Sequence, residues 1–397
     1  MTNKYHTSTI TARARVGAPD TYGSVMPALH LSSNYTFAGL GQKRKYDYTR
    51  SGNPTRDALG DALCELENGA GAAVVASGMA AITLVLQLVN QGGLVIAPHD
   101  CYGGTHRLLT HLERRGLLRA EFVDQNDATA LDAAFAQSPT LILIETPSNP
   151  LLRITDVRKV TELAKHKGAI TVVDNTFLSP ALQKPLDLGA DIVIHSTTKY
   201  LNGHSDVVGG AAIAKTPEMA ERLQWWANCI GITGAPFDAY QTLRGLRTLD
   251  VRIRQQSRTA EDVATFLNEH PAVDEVYYPG LIDHPGHDIA KDQQSGFGGM
   301  LSFELKGGVT AAAAFVDQLK LFTLAESLGG VESLIAHPAT MTHAAMDEDA
   351  RKTAGITDGL LRISVGLEHV DDLLADLSVA LEARDGSTNV IALARTC

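Results

Sequence analysis

From about Ala72 to Lys215 the chain repeats one pattern: a short, almost uninterrupted apolar run, then an amphipathic stretch. The runs are "AAVVAS", "LVIAPH", "RAEFVD", "TLILIET", "AITVVDNT" and "ADIVIHS", and the block ends near "GGAAIAK". Between most of them lie segments of helical period, such as "MAAITLVLQLVNQG", "GGTHRLLTHLERRG" and "VRKVTELAKHKG". A strand with one wet face alternates apolar and polar residues, whereas one that is apolar throughout must be covered on both faces. Strands of the second kind, joined through helices, predict a mostly parallel central sheet with helices on both sides, the α/β class.

The flanking regions differ. Residues 1–60 are polar, punctuated by aromatics and arginines ("SSNYTF", "YDYTRSGNPTR"), and show no sustained period. They read as an extended N-terminal arm, with a short helix opening near Pro54, where proline suits a first helical position. After the long helical stretch "AYQTLRGLRTLDVRIRQQSRTAEDVATFLNEH", the runs "AVDEVYYP", "GMLSFELKG", "LFTLAES" and "LLRISVGLE" predict strands of a smaller α+β unit. The helix "VDDLLADLSVALEA" closes it. The expected division is an arm at 1–60, a large domain at 61–256 and a C-terminal domain at 257–397, with a loosely tethered tail from Arg384.

A formal net charge of −11 over 397 residues argues against nucleic acid or an anionic membrane as a partner. No run approaches the ~20 apolar residues of a membrane span, and the first residues carry no apolar leader core. The four cysteines, Cys64, Cys101, Cys229 and Cys397, form no C-x-x-C pair and read as reduced thiols of a soluble, cytoplasmic protein. His284 and His287 in "HPGH", with His337 and His343, lack an acid or cysteine set at a ligand spacing, so no metal site is expected. A dinucleotide site would need G-x-G-x-x-G after a strand; "NGAGAAVV" has two spaced glycines that precede one.

Ligands of open α/β sheets gather beyond the carboxyl ends of the strands. Four groups fall there. "ASGMAA" turns from strand to helix and offers N–H groups suited to a phosphate. In "VVDNTF", Asp174 is a carboxylate among apolar neighbours that needs a cationic or donor partner. In "HDCYGGTHR", Tyr102 would lie against an aromatic ring. In "HSTTKY", Ser196 and Thr198 alternate with Thr197, so an extended segment would point both hydroxyls one way, beside Lys199. Desolvation would lower the Lys199 pKa enough to free its amine for imine formation. Taken singly, these are an ordinary turn, a helix cap, a turn tyrosine and a lysine at a sheet edge. Together they supply the parts of a pyridoxal phosphate site.

Eight ordered motifs extend this. "YDYTRSGNPTR", "ASGMAA", "PHDCYGGT", "IETPSNP", "VVDNTFLSP", "HSTTKYLNGHSDVVGG", "FTLAESLGGVESL" and "LLRISVGLE" resemble, in order and over nearly the whole chain, the Cys/Met-metabolism family of fold-type-I pyridoxal phosphate-dependent enzymes. "WWANCIGITG" and "PHDCYGG" resemble most its bacterial branch that joins an O-acyl-L-homoserine to L-cysteine, giving L-cystathionine. The resemblance implies roles by position. Lys199 would carry the cofactor as an imine and shuttle protons; Asp174 would bind the pyridinium nitrogen. Tyr102 would stack on the ring and take a proton from the incoming substrate. Gly78, Met79, Ser196 and Thr198 would hold the phosphate, joined by Tyr48 and Arg50 from a neighbouring subunit of a homotetramer built from two dimers. Arg362, Asn149 and Ser327 would clamp the substrate α-carboxylate, with Tyr48 also at the substrate. Glu326 would meet the amino group of cysteine or the distal amine of cystathionine. The same scaffold also carries lyases. A γ-lyase cleaving cystathionine is the alternative, whereas the methionine γ-lyases carry a cysteine at the position of Gly104.

Overall fold

The computed structural model describes residues 5–19, 21–344, 346 and 348–383; the tail from Arg384 and Cys397 lie outside the described residues. The apolar runs form seven strands: β1 (Gly71–Val75), β2 (Leu94–Pro98), β3 (Arg119–Val123), β4 (Leu141–Glu145), β5 (Ile170–Asp174), β6 (Ile192–Ser196) and β7 (Gly210–Ala214). They make one sheet in the order β1-β7-β6-β5-β4-β2-β3, in which only β7 runs antiparallel to its neighbours.

Both faces of this sheet are covered. Ile142 and Ile144 of β4 pack into one core with Leu59, Leu63 and Leu66 of the helix Pro54–Glu67, while Leu141 and Leu143 pack into another with Leu84 and Val85 of the helix Gly78–Leu86. Successive side chains point to opposite faces, so a strand between two helical layers is apolar at every position.

The second sheet contains β8 (Val273–Tyr277), β9 (Met300–Leu305), β10 (Thr323–Leu324), β11 (Leu334–Ala336) and β12 (Leu360–Ser364), in the order β10-β11-β12-β9-β8. Here β10 is two residues long, shorter than the run "LFTLAES" predicts, and β11 is an element that the sequence reading does not contain. The helices Gly308–Val316 and Val370–Ala383 cover this sheet, with Phe303, Phe315 and Leu373 in its core. The expected division near Ser257 falls inside the helix Leu249–Asn268. Leu249 and Ile253 of its first half belong to the core of the large sheet, and Val263 and Leu267 of its second half to that of the small one. An unbroken helical period crosses between two cores and leaves no mark in composition.

Part of the first 60 residues is helical and docked rather than extended. The helix Thr7–Ala12 precedes Ala14, which with Ile10 is buried in the large core. Six residues are too few to display a period. By contrast, residues along 22–48 remain exposed, including Tyr22, Leu31, Leu40 and Tyr48.

Candidate active site

Beyond the carboxyl ends of β1, β2, β4, β5 and β6 lies a cavity of about 550 Å³. It brings together Gly78, Met79, Tyr102, Asn149, Asp174, Ser196, Thr198, Lys199, Glu326, Ser327 and Arg362. The first eight sit at or just past ends of the large sheet's strands; the last three come from the smaller unit.

Lys199 follows β6 in a turn. Its Nζ donates to Ser327 Oγ at 2.7 Å. Burial, and then the positive charge of Arg362, lower its pKa to about 8, against an opposing contribution from Glu326. The amine is thus neutral over part of the range in which most enzymes work. Ser196 ends β6, but Thr198 lies in the turn, so the two hydroxyls do not share a cavity through strand alternation. The Thr198 hydroxyl is held by Gly209 instead, accepting its N–H at 3.0 Å and donating to its carbonyl at 3.2 Å. A turn that doubles back on the chain, not an extended segment, places Thr198 beside Ser196.

Asp174 closes β5. Its Oδ1 accepts the Thr176 N–H at 3.0 Å and the Thr176 hydroxyl. Burial raises its pKa despite these two bonds, so the carboxylate gains from a cationic partner. Across the strand pair, Asp174 is the register partner of Glu145, a cavity residue that the sequence reading does not single out. Burial, and then the charge of Asp174, push Glu145 well above the ordinary carboxylate range. The signal was available: "TLILIE" ends an apolar strand on a carboxylate, as "ITVVD" does. Thr176 was missed as well, being a donor two residues beyond its acceptor.

Ser77 caps the helix Gly78–Leu86, its side chain accepting the Ala80 N–H. The first turn of a helix leaves N–H groups without helical partners, which favours an anion. A Cβ on Gly78 would stand 2.7 Å from Ser196 Cβ, so this approach needs glycine. Tyr102 occupies the N-cap position of the helix Gly103–Arg114, with its ring partly exposed. A side chain at Gly104 would meet that ring at 2.5 Å and Met79 Sδ at 2.9 Å.

Arg362 is 3% exposed. It donates to Asn149 Oδ1 at 2.8 Å and to the Ser327 carbonyl at 2.9 Å, both neutral acceptors, and its Nε has no partner among the described residues. Burial lowers its pKa to about 10. A buried guanidinium with no carboxylate hydrogen-bonded to it among the described residues suits an anionic ligand. His343 is a packing residue: burial lowers its pKa to about 4, and its Nε2 lies 3.0 Å from the Asn149 carbonyl. Glu326 is exposed at the cavity wall in an irregular segment after β10.

Tyr48 and Arg50 stand apart. They are exposed and do not line this cavity; Arg50 donates to the Asn228 carbonyl at 2.7 Å and stacks over Tyr48 at 5.6 Å. Among the described residues, no cluster of three or more His, Cys, Asp or Glu could hold a metal, and no helix is long and apolar enough to cross a membrane.

The parts present fit pyridoxal phosphate: a desolvated amine, a buried carboxylate with no salt bridge among the described residues, a glycine-opened helix terminus and an aromatic face. Residues 7–382 match the family described as Cys/Met metabolism PLP-dependent enzyme. The chain is 54% identical to cystathionine gamma-synthase of Escherichia coli (strain K12), covering 96% of this chain and 99% of that protein. It is 47% identical to cystathionine gamma-lyase of Bacillus subtilis (strain 168), over 91% and 95%. Among solved structures, cystathionine gamma synthase from Xanthomonas oryzae pv. oryzae in complex with cystathionine superposes with a TM-score of 0.95 at 58% identity, covering 96% of this chain and 99% of that one.

Proposed function

The chain belongs to the Cys/Met metabolism family of pyridoxal phosphate-dependent enzymes, with their fold-type-I α/β architecture, and from that premise we propose that it catalyses a γ-replacement. An O-acyl-L-homoserine and L-cysteine become L-cystathionine and the free carboxylate. The observation that carries this reading is Lys199 and Arg362 facing one cavity, a desolvated amine beside a buried guanidinium whose partners are neutral. Such a pair selects an amino acid by its α-carboxylate and works on the carbon next to it.

Lys199 would bind pyridoxal phosphate covalently, Asp174 would hold its pyridinium nitrogen, and Tyr102 would stack on its ring. Gly78, Met79, Ser196 and Thr198 would hold its phosphate, with Tyr48 and Arg50 of a neighbouring subunit; that both are exposed and neither lines this chain's own cavity supports that assignment. When bound, the cofactor supplies an electron sink conjugated to the substrate nitrogen, which makes protons on Cα and then Cβ removable.

The remaining work falls to this chain. Arg362, Asn149 and Ser327 orient the α-carboxylate. Tyr102 takes a proton from the substrate ammonium. Once the substrate amine has replaced it on the cofactor, the Lys199 amine would take the Cα proton, hand that proton to the bound cofactor, and so be free to take a Cβ proton. The Cβ–H electron pair becomes a Cβ–Cγ double bond as the Cγ–O bond breaks and the acyl group leaves as a carboxylate. The cysteine thiolate then forms the Cγ–S bond, and Lys199 returns protons to Cβ and Cα. Glu326, at the cavity wall, meets the ammonium of the incoming cysteine.

The large unit at 61–256 would carry the cofactor, and the unit at 257–397 would supply the substrate clamp. Residues 1–60 would reach a neighbouring subunit of a homotetramer made of two dimers, and the enzyme would work in the cytoplasm. A product assay tests the reaction. Purified, cofactor-loaded enzyme receives O-succinyl-L-homoserine with cysteine in one tube and cystathionine alone in another. A higher kcat/KM for cystathionine formation supports the synthase; cysteine and 2-oxobutyrate arising mainly from the second tube would make it a γ-lyase.

A further inference from the structure

Glu145 has no part in the reaction above, yet it lines the same cavity beside Asp174. A second counter-ion for the cofactor ring would leave its oxygens open to the cavity. Glu145 does otherwise. One oxygen, Oε2, accepts the backbone N–H of Tyr102 at 2.9 Å, and the other, Oε1, accepts the backbone N–H of Asn149 at 2.9 Å. These donors belong to two separate walls. Tyr102 precedes the helix that follows β2, and Asn149 lies in the loop after β4. Asn149 in turn holds Arg362 through its side-chain oxygen.

We infer that Glu145 is a positioning residue that sets the spacing between Tyr102 and the Asn149–Arg362 pair, and through it the enzyme's preference for amines bearing an α-carboxylate. This rests on the reading of Asn149 and Arg362 as the α-carboxylate clamp. The geometry asks for a carboxyl group specifically. Two N–H donors converge, one on each oxygen, and only a group with two acceptor oxygens satisfies both. Glutamine has the same shape but one oxygen, so its NH₂ would face one of the backbone N–H groups. Aspartate keeps both acceptors on a stem one carbon shorter.

The test compares L-norvaline with n-butylamine, which is norvaline without its carboxylate and, like it, has no leaving group. Binding of each to the holoenzyme is followed by the change in absorption of the bound cofactor. The ratio of the two dissociation constants measures what the carboxylate contributes. In Glu145→Gln we expect this ratio to fall by about tenfold, through weaker norvaline binding, with butylamine unchanged. The circular dichroism of the cofactor band should change as Tyr102 shifts. Glu145→Asp should keep more of the ratio than Glu145→Gln. A Gln variant with the wild-type ratio, or one that weakens both ligands equally, overturns the inference and marks Glu145 as packing only. Should the Gln variant fail to load cofactor, the same ratio in Glu145→Asp decides: unchanged, or both ligands weakened equally, overturns it. A wild type that prefers norvaline but makes no cystathionine sinks the proposed reaction and leaves this inference standing.

Discussion

The amine of Lys199 and the hydroxyl of Ser327 are hydrogen-bonded at 2.7 Å although 128 residues separate them. Ser327 also offers its carbonyl to Arg362 and has a φ of +85°, in the left-handed region. That conformation costs a residue with a Cβ roughly 1–2 kcal/mol. Ser327→Ala should therefore keep the strain and lose the hydroxyl, lowering kcat about tenfold with little change in melting temperature. Ser327→Gly should be equally slow yet melt higher than the alanine variant, by the equivalent of about 1 kcal/mol. Equal melting temperatures for the two would show that the backbone there is unstrained.

Lys199→Ala removes the base and the point of covalent attachment but leaves Asp174, Tyr102 and the phosphate cradle. Turnover should fall by ~10³-fold or more, while cofactor remains bound noncovalently. Absorption spectra before and after dialysis, beside the product assay, check both halves. Substantial residual turnover would move the base elsewhere in the cavity.

Arg362→Lys keeps the charge and loses the planar fork. One ammonium cannot hold Asn149 Oδ1 and the Ser327 carbonyl while also pairing bidentately with a carboxylate. We expect kcat/KM for the homoserine ester to fall on the order of 100-fold, chiefly through KM. Steady-state kinetics decide it; a collapse of kcat at constant KM would assign Arg362 to the chemical step.

The lowered pKa of Lys199 predicts a pH dependence in the cofactor-free protein. Only the neutral amine attacks an aldehyde, so the rate of covalent cofactor attachment should rise with pH through about 8 and level off above it. Stopped-flow absorption gives the midpoint, and a midpoint above 10 would mean that the amine is not desolvated. The sign for stability follows. The folded-state pKa lies below the ordinary 10.5, so the unfolded chain holds this proton more tightly between the two values. The contribution of Lys199 to stability is full above about 10.5 and is lost as pH falls to about 8.

Gly78→Ala should weaken cofactor binding by about tenfold or more, even though alanine favours a helix by about 1 kcal/mol. The new Cβ would lie 2.7 Å from Ser196 Cβ and 3.1 Å from its Cα, pushing apart two of the proposed phosphate holders. Equilibrium dialysis of the variant measures the loss; unaltered affinity would mean that Ser196 does not take part in holding the phosphate.

What the sequence determined by itself is what neighbouring residues decide together. Apolar strands covered on both faces need no partner to be recognised, so β1 to β7 and the groups at their ends, Asp174, Tyr102 and Lys199, could be read from local runs. Motif order then added Arg362, Asn149 and Ser327 through resemblance, since no local pattern joins them. The tertiary structure alone decided who touches whom. Thr198 reaches the cavity because a turn is pinned by Gly209, not because a strand alternates. Glu145 bonds Tyr102, 43 residues earlier, and Arg362 bonds Asn149 across 213 residues. Strand and helix periods are set by backbone geometry within a few residues. Contacts between the walls of this cavity depend instead on how the two sheets dock, which the packing of both cores along the helix Leu249–Asn268 determines.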